Sequence, residues 1–146
     1  DLGPSPANKP APTFILSALA DPAVHAAPLQ KLQLIKGWIT DDGTAHNKVY
    51  DVAGDAETDA GVNLESGKRY GKGYASLCVV FTDPDYDATE NAYYYMRAVE
   101  NPTPRWSMID CLNYDQGQRP ELCSDPGVFT TINEQAWTSP IWVNSH

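Results

Sequence analysis

A chain of 146 residues is long enough for one domain with its own core, and 42% hydrophobic with 20% charged residues excludes wholesale disorder. A formal net charge of −9 disfavours nucleic acid and anionic lipid as partners. No apolar run approaches the roughly 20 residues that a helix needs to span a bilayer.

Residues 1–12 carry Pro4, Pro6, Pro10 and Pro12 and almost nothing to bury, the composition of an extended arm or linker. The first residue is Asp1 rather than Met, so the chain reads as a processed or excised product. One folded domain is expected over residues 13–146. Residues 13–20 (TFILSALA) predict a first strand, stopped by Asp21-Pro22, and its Phe14 is an interface candidate. In residues 29–39, Leu32 and Leu34 alternate with Lys31 and Gln33, as in a strand with one buried face. Ile35 beside Leu34, then Gly37, predicts a bulge or bend there.

Asp41-Asp42-Gly43-Thr44 is a hairpin signal leading into a partner strand over residues 46–53. Residues 54–73 read as a polar surface loop with one short strand near residues 62–64. Then comes the central pair, residues 75–82 and 93–100. Leu77, Val79 and Phe81 share one face with Tyr94, Met96 and Ala98. The opposite face carries Val80, Tyr95 and Val99, too apolar to stand bare, which makes them interface candidates. Cys78 is expected to be a small buried apolar residue. Tyr94, entering its strand after a turn, suits a tyrosine corner bonded to the backbone.

After Pro102-Thr103-Pro104 a short helix is expected over residues 107–112. Cys111 and Cys123 then bracket a loop rich in Gly, Pro, Asn and Asp. A disulfide there would contribute about 3 kcal/mol in the loop-entropy model; the alternative is two unpaired thiols. The last strand is predicted over residues 130–143, at an edge or broken at a bulge, because Pro140 cannot donate to a ladder.

The runs LQKLQLIKGW (29–38), KVYDVA (48–53), FTDPDYD (81–87), YYYMRAVENPTPRWS (93–107) and AWTSPIWV (136–143) resemble the C-terminal part of domain-of-unknown-function family 3604. The resemblance covers most of the chain from residue 13 onward. Phe81 stands where Trp is expected, Gln135 where Arg is expected, and residues 54–73 fit no pattern of the family. The resemblance implies a longer, often exported parent whose N-terminal portion is similar to metal-dependent hydrolases of the polymerase-and-histidinol-phosphatase type. This chain would be its β-rich tail, in a periplasmic or extracellular location.

Chemistry finds little foothold. His25, His46 and His146 have no metal-ligand spacing, and Ser107 and Ser139 lack a nucleophile context. No phosphate-cradling glycine motif occurs. Asp83, Asp85, Asp87 and Glu90 form a possible calcium loop, although Ala88 and Tyr94 stand where an EF-hand needs Gly and Glu. A solvated turn shaped by Pro84 is the favoured alternative, and no other cofactor is expected. Trp38, Trp106 and Trp137 read as core or interface, with Trp142 and Tyr95 as the exposed pair.

The expected fold is all-β, an immunoglobulin-like antiparallel sandwich of about seven strands with a Pro-rich N-terminal arm. The expected role is a non-catalytic accessory or assembly domain that contacts the missing portion of its parent or another copy of itself. Two alternatives stand beside it. One is a structural subunit that uses its arm for strand addition, and the other is a carbohydrate-binding module.

Overall fold

Two rows of alternating apolar side chains, one on each of two sheets, are what the chain has to bury, and the computed structural model places them face to face. It describes residues 10–23 and 26–144. Residues 1–9 of the expected arm, with His25 and His146, lie outside the described residues. In chain order the elements are β1 (Thr13–Leu19), β2 (Leu29–Ile39), β3 (Ala45–Gly54), β4 (Gly61–Val62), β5 (Arg69–Tyr70), β6 (Ser76–Thr82) and β7 (Asn91–Glu100). They continue with β8 (Thr103–Pro104), α1 (Trp106–Leu112), β9 (Thr131–Ile132), β10 (Gln135–Trp137) and β11 (Ile141–Val143).

β1 pairs antiparallel with β6 from Thr13↔Thr82 to Leu19↔Ser76. The facing sheet has the order β10–β7–β2–β3, and β11 follows β10 along the same edge of β7. Five strands therefore face two, all antiparallel. This is the order of the G–F–C–C′ and B–E strands of an immunoglobulin-type sandwich. The all-β sandwich expected from alternation is the fold of this chain.

Inward residues Leu32, Leu34, Ala92, Tyr94, Ala98 and Val143 meet Phe14, Leu16 and Leu77 in one buried cluster. Burying each large apolar side chain contributes about 1.5–3 kcal/mol. Phe14 is therefore core, and its expected interface role is corrected: even-numbered residues of β1 point inward, and its ring packs 4.8 Å from that of Tyr94.

The β2–β3 hairpin closes through Gly43 at φ +83°, a left-handed conformation that suits glycine. Asp42 accepts bonds from Thr40 Oγ1 and the Thr44 amide, which lower its carboxyl to a pKa of about 2. The bulges expected near Ile35 and Gly37 lie elsewhere, between Leu32 and Gln33 against β3 and between Leu29 and Lys31 against β7. Gly37 instead makes room: a Cβ there would fall 2.3 Å from the Tyr93 ring. The expected last strand is three short ones. Where it breaks, Thr138 still serves β7, its amide donating to Met96 O and its Oγ1 accepting from the Met96 amide.

Candidate functional site

β2 places Lys36 on its inward row between Leu34 and Trp38, and the chain leaving β6 delivers Asp83 opposite it. Both side chains are essentially buried. Lys36 Nζ lies 2.8 Å from Asp83 Oδ2 and donates to Asp85 O at 2.7 Å. Tyr94 donates its hydroxyl to Asp83 Oδ2 at 2.7 Å, and Tyr50 donates to Asp83 Oδ1 at 3.0 Å. The Asp85 amide also donates to Asp83 Oδ1. The Lys36 ammonium sits 5.2 Å from the Trp38 ring centre and 5.9 Å from that of Tyr94.

Burial pushes the Asp83 carboxyl up, but the hydrogen bonds from Lys36, Tyr94 and the Asp85 amide outweigh it and hold the group below the usual carboxylate range. Burial, then the bond to Asp83, pushes the Tyr94 hydroxyl well up; burial, then bonds to Asp85 and Asp83, does the same to Tyr50. The Tyr94 bond goes to a carboxylate at the corner between β6 and β7. The expected tyrosine corner, which bonds the backbone, is therefore corrected: the Tyr94 hydroxyl is spent on the Asp83 carboxylate.

This geometry weighs against the possible calcium loop and towards the turn shaped by Pro84. Asp83 is consumed by Lys36 and two tyrosines, while Asp85 Oδ2 is held by Lys48 Nζ and Tyr50. Asp87 accepts from the Thr89 amide and hydroxyl, a local turn. No group of three or more acidic, His or Cys side chains among the described residues converges to hold a metal. Lysines already supply the positive charge that the acidic turn needs. Lys36, Lys48 and Tyr50 are not among the site residues expected from the sequence, although a lysine on the apolar parity of β2 is a visible signal.

The interface candidates divide between opposite surfaces. Val80 is 64% exposed on the outer face of the β1–β6 pair, directly opposite Ile15 at 78%, with Leu19 at 81% on the same face. Cys78 lies on this face too, exposed and unpaired, so its expected burial is corrected by strand parity. Tyr95 and Trp142 lie on the outer face of the five-stranded sheet. The Tyr93 and Tyr95 rings are nearly parallel there, stacked with centres 6.4 Å apart, and the Trp142 ring lies 5.3 Å from that of Tyr93. Val99 points to that face but is buried, because Lys31 and Gln135 flank it on either side in the ladder; its interface role is corrected. Beside it, Gln33 bridges Arg97 Nε and Asp51 Oδ1, each at 2.7 Å.

Trp137 and Trp106, expected in the core or at an interface, are exposed, which removes the core half of that expectation: Trp137 has outward parity on β10, and Trp106 begins a helix that buries Met108. Trp38 is half-buried and stacks on His46 at 5.2 Å. Cys111 and Cys123 form the disulfide. No helix among the described residues is long and apolar enough to cross a membrane. Searches of curated proteins and of solved structures each find no match to the chain. The family model described as "Protein of unknown function (DUF3604)" matches residues 1–145, and by that match this chain belongs to the family.

Proposed function

We propose that this chain is a non-catalytic assembly domain of a longer exported protein, docked through the outer face of its β1–β6 pair. The observation that carries the reading is the exposure of Ile15 directly opposite Val80, with Leu19 further along the same face, on a sheet that has two strands among the described residues. Such a face is too apolar to leave in water without a partner. The Lys36–Asp83 cluster supports the non-catalytic part, since its charges are spent on one another inside the core. The disulfide supports an oxidising, periplasmic or extracellular location. Cys78 is a built-in reporter for docking. Its thiol should react rapidly with maleimide in the isolated chain and at least about tenfold more slowly in native, full-length material. Equal rates in the two would refute a docked face.

A second reading, glycan binding, is supported by Tyr93, Tyr95 and Trp142 beside the fixed polar groups of Arg97 and Gln33. Aromatic faces of this kind stack on sugar rings, and flanking polar groups bond their hydroxyls. Electrophoresis through gels carrying soluble polysaccharides tests it. The expected result is retardation that Trp142→Ala abolishes, and unretarded migration in every gel would end the reading.

A further inference from the structure

The two-stranded sheet ends where a third strand would fit. The Ala20 amide bonds Ala75 O and the Asp83 amide bonds Pro12 O, which sets the hydrogen-bonding alternation along β1. Even-numbered residues of β1 bond β6, so the N–H and C=O groups of Thr13, Ile15, Ser17 and Leu19 face the other way. Among the described residues β1 pairs with β6 alone, leaving that edge open.

The edge borders a slot between β1 and the broken strand β10–β11. Two cavities of about 230 Å³ each lie along it. One is lined by Ala18, Leu29, Met96, Ala98 and Trp137, and the other by Leu16, Leu34, Met96 and Ile141. Each has room for an apolar side chain, and successive inward side chains of one strand would enter them in turn. Glu100 and Glu134 border the first cavity, and the whole chain carries −9. A second copy of this chain would bring the same charge, whereas a neutral or basic strand would not.

From the open edge, the paired cavities and the acidic rim we infer that the β1 edge is an acceptor for an extended, non-acidic polypeptide strand with apolar side chains at alternate positions. The strand adds to β1 and converts the two-stranded sheet into three. This inference rests on the assembly reading and adds to it a second contact, at the β1 edge beside the outer face that carries Cys78.

The test uses a blocked synthetic peptide of alternating valine and lysine, as long as β1, with a block-ordered peptide of the same composition as control. Fluorescence anisotropy with the full chain should show saturable binding, weakened about tenfold by block ordering. Hydrogen exchange should slow at the amides of Ile15, Ser17 and Leu19. Ser17→Pro removes an edge N–H that β6 does not use, and Ser139→Trp narrows the second cavity from its exposed rim. Each should weaken binding about tenfold while circular dichroism stays native. Absent binding, equal binding of both peptides, or binding indifferent to both variants overturns the inference. Dimerisation of the free chain that Ser17→Pro abolishes also overturns it, in favour of a second copy. If the groove fails but Cys78 stays protected in native material, the assembly reading survives without it; if that protection is absent, both fall.

Discussion

Lys36 is the residue on which the interior turns. It shares the inward row of β2 with Leu32, Leu34 and Trp38, and among the described residues Asp83 is the carboxylate in direct contact with its ammonium. Asp83→Asn leaves that ammonium buried beside an amide, and urea denaturation should show a loss of about 3–5 kcal/mol. Lys36→Met combined with Asp83→Asn removes the orphaned charge and keeps an acceptor for Tyr94, so it should recover at least half of that loss. Strict additivity of the single losses would show that the two residues do not act as a pair. The pH dependence follows from the direction of the Asp83 shift. Its folded pKa lies below the unfolded value of about 4, so its contribution is complete above that pH and drains away as pH falls through the folded value. Melting temperatures should accordingly fall less steeply with acid in Asp83→Asn than in the wild type.

At the scale of elements, much of the fold was legible because alternation and turn chemistry are local. Residues 29–39 carry strand periodicity up to a Gly43 hairpin, and β2 forms over those residues. The face assignments of Leu77, Val79, Tyr94 and Met96 follow from parity alone, and each packs in or against the core. Burial, by contrast, depends on neighbours that the sequence does not display. Val99 and Val80 both have outward parity. Val99 lies in a central strand between Lys31 and Gln135, while Val80 lies on a two-stranded pair whose outer face none of the described residues covers. Gly37 was misread for the same reason. Its lack of a side chain looked like a bend, but it serves the ring of Tyr93, which reaches it from the adjacent strand. The candidate site was legible only as the acidic run after β6. Reading Asp83 as half of an ion pair needed the register that sets Lys36 opposite Tyr94.

At the scale of the whole molecule, the chain divides into a tightly cored sandwich and a long excursion between β7 and β10. The excursion is tied down by the β8–β9 ribbon, by Asn133 Nδ2 donating to Glu100 O at 2.8 Å, and by the Cys111–Cys123 bridge across a separation of 12 residues. Between Val99 and Val143 its one contribution to the buried apolar set, among the described residues, is Met108. This imbalance predicts how the bridge acts. Loop-closure entropy assigns it about 3 kcal/mol if the excursion stays ordered without it. A segment with so little buried surface instead opens locally before the sandwich yields, which caps the loss at the smaller cost of that opening. Cys111→Ser with Cys123→Ser should therefore lower the urea stability of the sandwich by clearly less than about 3 kcal/mol. The same variant should be nicked faster by protease between residues 112 and 130. A full loss in a single transition, with no added nicking, would show that excursion and sandwich fold as one cooperative unit.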